Sequence, residues 1–385
     1  MDAAIYLPKI LKIGAGSSKR LAQLCIELGF KKPLIVTDPA MVELGYLKRI
    51  TTDLSDSNIA FGVFADCVPD PTTTAVNEGV IYCKSDDYDC LVALGGGSAI
   101  DTAKAIAILA RHGGEIKDFK APNPVPEGLP VIAIPTTAGT GSEATRVMVI
   151  TDTHSQEKMM CLGIGALPVA ALVDYEFTLT MPYRLTADTG LDSLCHALEA
   201  YVSKKANAFT DPIALACMKN IAQNLPLACE DPNNLKAKEA MMLAATQGGM
   251  AFSNASVTLI HGMSRPIGAA FHVPHGMSNA MLLPVVTEYS IPGAKVRYVE
   301  AAKVMGMACI SDSDDQAIGK LLDGLYQLCE DLKVPSPKDY GIDKDDYFNA
   351  LDLMADQALA SGSPNNNPVV PSKADIIRLY EKVWG

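Results

Sequence analysis

One aspartate and three histidines in the second half of the chain have side chains and spacings that suit a metal ion. Asp192 and His196 are four residues apart, which places a carboxylate and an imidazole on one face of a helix. His261 and His275 are 14 residues apart, or ~21 Å along a continuous helix, so the chain must turn between them if both bind one ion. Residues that favour such a turn are Gly262, Pro266, Gly268 and Pro274.

A carboxylate and three imidazoles form a mixed oxygen and nitrogen ligand set that suits Fe(II) or Zn(II). The alternative is that each of these histidines is a hydrogen-bonded residue of the core. Spacing alone does not decide between the two interpretations.

A glycine-rich segment in the first half suits a phosphate group. Gly95, Gly96, Gly97 and Ser98 follow the apolar run Leu91–Leu94 and precede a predicted helix. Glycines let the backbone approach a ligand closely, and Ser98 is expected to cap a helix whose first N–H groups face the phosphate. Asp101 follows on the first turn of that helix. The alternative is a tight strand-to-helix turn without a ligand.

Two further segments lie at predicted strand ends, where open α/β sheets bind ligands. The loop 136–143 offers backbone N–H groups and hydroxyls, and its candidate cofactor-binding residues are Thr136, Thr137, Thr140 and Ser142. Asp38 ends another apolar run, so its carboxylate could accept hydrogen bonds from a ribose 2′-hydroxyl and repel a 2′-phosphate. Alternatively, Asp38 caps the next helix.

Hydrophobic periodicity predicts the elements that hold these residues. Short apolar runs at 32–38, 59–65, 89–94 and 129–135 alternate with helical segments at 17–28, 72–84 and 98–110, which indicates a parallel sheet covered by helices. After about residue 182, helical periodicity dominates. We therefore predict an α/β half at 1–182 followed by an all-α half at 183–385.

Net charge, apolar runs and cysteine spacing limit the partners and the cellular compartment that the sequence predicts. The formal net charge is −12, which argues against nucleic acid and an anionic membrane surface as binding partners. No apolar run reaches the ~20 residues of a membrane-spanning helix, and the N-terminus lacks the features of a secretion signal. The ten cysteines show no paired spacing, which is typical of reduced thiols in a cytoplasmic protein.

The segment from His261 to Gly276 resembles the signature of the iron-containing (group III) alcohol dehydrogenases, including lactaldehyde reductases and 1,3-propanediol and butanol dehydrogenases. The resemblance extends over nearly the whole chain, and its other motifs are Gly14–Ser17, Pro69–Thr72, Gly95–Lys104, Thr136–Glu143, Asp188–Glu199, Asn365–Pro371 and Asp375–Tyr380. It implies the fold of the dehydroquinate synthase-like superfamily, with a Rossmann-like α/β dinucleotide-binding domain at 1–182 and an all-α metal-binding domain at 183–385. The expected protein is a homodimer or larger homo-oligomer.

By this resemblance, Asp192, His196, His261 and His275 match the family's four metal ligands. Gly95–Ser98 match its pyrophosphate loop, Asp38 matches the acid that favours NAD over NADP, and Lys158 matches a lysine near the cofactor. The implied enzyme is an NAD-dependent alcohol dehydrogenase or aldehyde reductase with Fe(II) or Zn(II). The metal would lower the pKa of a bound hydroxyl to near neutral, so that the alkoxide would pass a hydride to the nicotinamide.

The sequence departs from the family pattern at Arg265, where many members carry a histidine associated with the nicotinamide or with proton relay. An arginine stays protonated and cannot act as a base. His272 is then the candidate relay, or else a packing residue. Arg265 could bind a carboxylate, so that a hydroxy acid or its semialdehyde would be the substrate. Alternatively, it pairs with an internal acid or with the cofactor phosphates.

Other activities are compatible with the same motifs. The alternatives on this fold are a polyol (glycerol-type) dehydrogenase and a hydroxyacid–oxoacid transhydrogenase, and the full ligand set argues against a maleylacetate reductase. From another class, the chain could be a scaffolding protein that kept the fold. The intact ligand set argues against that interpretation too.

Overall fold

The computed structural model describes residues 3–155 and 157–385 of the chain. The chain divides into two compact units, one formed by Ala4–Thr180 and the other by Met181–Gly385 together with Ala3. The boundary expected from the sequence lies two residues later, after residue 182.

The first unit contains a parallel sheet. Its strands are β1 (Ile10–Ile13), β2 (Pro33–Thr37), β3 (Gly62–Phe64), β4 (Cys90–Gly95) and β5 (Val131–Pro135), with β8 (Ala170–Val173) completing the six. All neighbours are parallel, in the order β1-β8-β5-β4-β2-β3. Every residue of β2, β4, β5 and β8 is buried, as expected of a sheet covered on both faces. The predicted parallel sheet is confirmed.

Helices and a hairpin surround this sheet. The helices are α1 (Leu21–Leu28), α2 (Pro39–Glu43), α3 (Tyr46–Asp56), α4 (Thr73–Cys83) and α5 (Gly97–His112), and the antiparallel hairpin is β6 (Val147–Thr151) with β7 (Lys158–Leu162). The three helical segments expected in this half all contain a helix. The strands β1, β6, β7 and β8 were not predicted.

The second unit consists of helices in the part of the chain described, as predicted. They are α6 (Tyr183–Val202), α7 (Thr210–Glu230), α8 (Leu235–Asn254), α9 (Leu259–Phe271), α10 (His275–Ser290), α11 (Lys295–Val304), α12 (Asp314–Asp331), α13 (Pro337–Tyr340), α14 (Lys344–Ala360) and α15 (Lys373–Val383). Helix α6 is buried along most of its length. Among the described helices, none is long and apolar enough to cross a membrane.

The chain turns only once between His261 and His275. His272 ends α9 with a left-handed backbone (φ 55°), and Pro274 precedes α10. Of the residues that favour a turn, only Pro274 lies at it, since Gly262, Pro266 and Gly268 all lie inside α9. A helix can contain a proline, although the carbonyl one turn earlier then loses its hydrogen bond within the helix. The helix ends instead at His272, the residue with the left-handed backbone.

Candidate metal centre and cofactor loops

Three neighbouring strands of the sheet end next to the residues that the sequence assigned to a cofactor. Asp38 follows β2, the glycine loop follows β4 and Thr136 follows β5, and β4 lies between the other two strands. A Cβ atom on Gly96 would lie 3.1 Å from Thr137, and one on Gly97 would lie 2.8 Å from Thr140. The two loops are therefore packed together at one sheet edge, where the glycines leave room that other side chains would fill.

The glycine loop leads directly into α5. The residue before the helix is Gly96, and no side chain caps the first turn. The expectation that Ser98 caps α5 was wrong, because the helix begins at Gly97 and Ser98 already lies within it. A helix start without a side-chain cap leaves its first N–H groups for a ligand, and an anion is the ligand that they favour.

Asp38 caps α2, in agreement with one of its two sequence interpretations. Its Oδ1 accepts a hydrogen bond from the backbone N–H of Met41 at 3.2 Å. Its other oxygen, Oδ2, lies 3.2 Å from the position of a Cβ atom on Gly95. The carboxylate thus borders the glycine loop, and its proposed role at a ribose stays a prediction.

Asp101 and Lys104 are engaged within the protein. Asp101 accepts hydrogen bonds from Ser142 Oγ at 2.6 Å and from the N–H of Val149 at 2.9 Å. The buried Nζ of Lys104 donates to oxygens of Ser142, Thr145 and Val147 at 2.8–3.2 Å. Burial lowers the pKa of Lys104 to about 8. These contacts tie α5 to the end of the loop 136–143, which we call the threonine loop, and to the segment that follows it.

Lys158 begins β7 and forms an ion pair with Asp70, with 3.2 Å between Nζ and Oδ1. Thr136 is buried, and its N–H donates to the carbonyl of Gly95 at 3.0 Å. Both residues therefore have protein partners in this structure, and their proposed contacts with a cofactor stay predictions.

The four candidate metal ligands converge in the second unit. Asp192 and His196 lie on α6, His261 lies in the first turn of α9, and His275 begins α10. The Nε2 atoms of the three histidines lie 3.8, 3.4 and 3.6 Å from Asp192 Oδ1. Ligand atoms of Asp192, His261 and His275 all lie within 4.8 Å of one another. One carboxylate oxygen and three imidazole nitrogens fit a divalent transition metal.

The electrostatics of this cluster reflect burial and close opposite charges. Burial lowers the pKa of His196 to about 3. For His261, burial alone would lower the pKa, but the carboxylates of Glu199 and Asp192 raise it to about 9. Burial would raise the pKa of Asp192, but the imidazoles of His196, His275 and His261 hold it below its ordinary value. Asp192 is therefore an anion at neutral pH.

One functional residue that the sequence interpretation missed is Glu199, which is 2% exposed. Its Oε2 accepts a hydrogen bond from Nδ1 of His261, and its Oε1 accepts from Thr258 Oγ1 at 2.8 Å and from the N–H of Ile260 at 2.7 Å. A carboxylate in contact with the second nitrogen of a metal-binding histidine orients the ring. Its spacing of three residues from His196 on one helix was the available signal.

Asn279 was missed as well. Its Nδ2 donates to Asp192 Oδ1 at 2.7 Å and lies 3.2 and 3.3 Å from Nε2 of His261 and His275. It follows His275 by four residues on α10, so it shares that helix face. Asn279 therefore contacts three of the four candidate ligands and helps to fix their positions.

Arg265 and His272 occupy different environments on α9. Arg265 is partly buried, and its Nη1 donates to Ser363 Oγ at 3.3 Å. His272 is exposed at the end of the helix. Its proposed role as a proton relay stays a prediction.

Comparisons with known proteins agree with this geometry. Residues 8–175 match the family model described as iron-containing alcohol dehydrogenase, and residues 186–384 match that of the Fe-containing alcohol dehydrogenase family, C-terminal. The chain is 34% identical over 378 residues to the NAD-dependent methanol dehydrogenase of Bacillus methanolicus, covering 98% of each.

Two solved structures are similar over the whole chain. A 1,3-propanediol oxidoreductase has a TM-score of 0.95 and 31% identity, with 100% of each chain covered. The sulfoacetaldehyde reductase from Bifidobacterium kashiwanohense, in complex with NAD+, has a TM-score of 0.89 and 27% identity, with 100% of this chain and 99% of that chain covered.

Proposed function

The chain belongs to the iron-containing alcohol dehydrogenase family, as its motifs predicted, and we propose that it interconverts a primary alcohol or hydroxy acid with the corresponding aldehyde, using NAD(H) and iron. Alcohol dehydrogenase and aldehyde reductase activity is common to the relatives and the solved structures that it resembles.

The observation that carries the proposal is the convergence of three imidazoles on the buried carboxylate of Asp192, with their Nε2 atoms within 3.8 Å of its Oδ1. Four potential ligands from three separate helices meet there. Isolated core histidines would not need to face one carboxylate, whereas one carboxylate and three imidazoles around one point suit a divalent transition metal. We propose that Asp192, His196, His261 and His275 hold the metal.

A bound divalent cation supplies Lewis acidity toward an alcohol or aldehyde oxygen. The protein residues balance the charge of the cation and orient its ligands. Asp192 offsets the positive charge, and Glu199 keeps His261 in one orientation. The glycine loop and the first turn of α5 would hold NAD+, which would supply the two-electron acceptor for the hydride of the alcohol, and the hydroxyl proton would leave to solvent.

The cofactor half of the proposal rests on the sheet edge of the first unit. Backbone N–H groups of the glycine loop and of the first turn of α5 suit a pyrophosphate. The neighbouring loop contains the hydroxyl side chains of Thr137, Thr140 and Ser142. The methanol dehydrogenase relative is named as NAD-dependent and the sulfoacetaldehyde reductase binds NAD+, which supports the same coenzyme here.

An anaerobic assay tests the proposed activity. Enzyme freed of metal, and the same enzyme reloaded with Fe(II) or with Zn(II), would be supplied with NADH and a series of aldehydes. We expect NADH oxidation in the reloaded samples and none in the metal-free sample, with the largest rate for Fe(II). A fully active metal-free preparation would refute the proposal, and so would a reloaded enzyme that oxidises no NADH with any aldehyde.

Replacing Asp38 with glycine should raise the use of NADP(H) relative to NAD(H) by about tenfold, which corresponds to ~1.4 kcal/mol. The reason is that the carboxylate would repel a 2′-phosphate. Because Asp38 also caps α2, Asp38→Asn is the matched variant that removes the charge and keeps the capping oxygen. Steady-state kinetics with both coenzymes would measure the ratio. If neither variant changes it, the ribose assignment is wrong.

We also propose a cytoplasmic location and a homodimeric or larger assembly. The ten cysteines are all unpaired in the structure, and nine of them are buried, which fits a reducing compartment. The assembly state follows from the family resemblance, and light scattering of the purified protein would measure it.

A further inference from the structure

Arg265 follows the candidate ligand His261 by four residues on α9 and, among the described residues, has no acidic partner of its own. Across residues 3–155 and 157–385, no carboxylate oxygen lies within the 4 Å of an ion pair with it. Its contact with Ser363 Oγ, at 3.3 Å, is to a neutral hydroxyl. A partly buried cation without an anion is costly unless a ligand supplies one. The other buried or half-buried arginines of the second unit, Arg184 and Arg297, each pair with an aspartate.

Position along α9 places Arg265 beside the proposed ligands. It follows His261 by four residues, so both side chains share a helix face and their Cα atoms are separated by ~6 Å along the axis. Long helical side chains lean toward the helix N-terminus, which brings the guanidinium back toward the turn of His261. The 3₁₀ turn Ser363–Asn366 packs on α9, with Pro364 against Gly262, and Ser363 of this turn accepts the hydrogen bond from Arg265.

Glu199 does not neutralise Arg265. It is near enough to oppose the lowering of the Arg265 pKa that burial causes. However, both of its oxygens already accept hydrogen bonds, from His261, Thr258 and Ile260. The remaining N–H groups of the guanidinium are therefore left for a ligand, and a planar fork of donors suits a carboxylate.

We propose that Arg265 binds an acidic group of the substrate, so that the enzyme acts on short aldehydes and alcohols that carry a carboxylate at the far end. This inference rests on the proposed function, because it requires the reacting oxygen to lie at the metal centre. The substrate class is then a semialdehyde or the matching hydroxy acid rather than a plain alkanal. Arg265 determines specificity and takes no part in proton transfer.

A matched pair of substrates tests the inference. Succinic semialdehyde and butanal have the same four-carbon chain, and only the first carries a carboxylate. The ratio of their kcat/KM values would be measured with NADH in the wild type, Arg265→Gln and Arg265→Lys. We expect Arg265→Gln to lower the ratio about 10- to 100-fold, the size of a charge-assisted hydrogen bond. Arg265→Lys should fall between, since it keeps the charge and loses the fork.

The control is Arg378→Gln, which removes the same charge from an exposed arginine on α15 and should leave the ratio as in the wild type. If Arg265→Gln does not change the ratio although the wild type reduces both aldehydes, the inference fails and the proposed function stands. If the wild type reduces neither, the proposed function fails. Weaker NADH binding by Arg265→Gln in a fluorescence titration, with the ratio unchanged, would assign the guanidinium to the cofactor phosphates and overturn the inference.

Discussion

Replacing Lys104 with methionine should lower the free energy of unfolding by about 3 kcal/mol or more, the cost of breaking a buried charged network. Methionine fills a similar volume but donates no hydrogen bond. The carbonyl oxygens of Ser142, Thr145 and Val147, the first two of them in buried residues, would lose their shared donor. Asp101, whose carboxylate lies 3.7 Å from the ammonium, would lose its countercharge. Urea unfolding followed by circular dichroism would measure the change.

Lys238 provides a matched control. It is a second buried lysine, 2% exposed, and among the described residues its ammonium reaches only Thr186 Oγ1, at 3.4 Å. Because few groups depend on it, Lys238→Met should be neutral or stabilising. An equal loss of stability in both variants would contradict the idea that the network around Lys104 is what matters. The Lys104 variant should also bind NADH more weakly, since the threonine loop would lose its anchor.

The role of Lys104 shows what the sequence could and could not predict. The glycine loop, the strand before it and the helix after it follow from local pattern, and the structure contains all three. Local pattern also made Asp101 a candidate for cofactor binding because it lies on the first turn of α5. In the structure it accepts hydrogen bonds from Ser142 and Val149, which lie 41 and 48 residues away in sequence and reach it only through the tertiary fold.

The unpredicted strands have a similar explanation. The longest apolar stretch, Met159–Val173, contains both the end of β7 and all of β8, because Gly163 and Pro168 interrupt it. Periodicity does not reveal where one continuous apolar run divides into two strands. The edge strand β1, Ile10–Ile13, is short and only partly buried, so it lacks the pattern of a central strand.

For the metal centre, spacing predicted that Asp192 and His196 would face the same way, and it predicted a turn before His275. It did not reveal that α9 would start against α6. That approach brings the backbone N–H of Ile260 and the ring of His261 to Glu199. The sequence places Glu199 on the same helix face as His196, but the role of Glu199 depends on contacts with residues about 60 positions away in sequence.

Replacing Glu199 with glutamine should weaken metal binding about 10- to 100-fold, the usual effect of losing a carboxylate that supports a metal-binding histidine. A carboxylate only accepts hydrogen bonds, so Glu199 requires a proton on Nδ1 of His261. In the neutral ring, Nε2 then carries the lone pair and faces Asp192 at 3.4 Å. This is the tautomer that a metal ligand needs.

Two backbone N–H groups determine the orientation of the amide of a glutamine at position 199. Oε1 of Glu199 accepts from the N–H groups of Ile260 and His261, so the amide oxygen of a glutamine must take that place. Its NH2 group would then face Nδ1 of His261 and donate to it. The ring would respond by moving its proton to Nε2, which blocks the nitrogen that faces the metal. The volume and the capping of α9 stay nearly unchanged.

Competition with a chelator would measure the metal affinity, and nitrogen NMR of the zinc-loaded protein would report which ring nitrogen carries the proton. The matched control is Glu300→Gln, an acid-to-amide change at a residue of α11 that accepts from Tyr201. It should leave both readouts as in the wild type. A Glu199→Gln protein that binds metal as tightly as the wild type would show that the tautomer of His261 is set elsewhere. A lower melting temperature with unchanged metal affinity would show that Glu199 only caps α9. The N-terminus of that helix needs a hydrogen-bond acceptor whether or not His261 binds a metal.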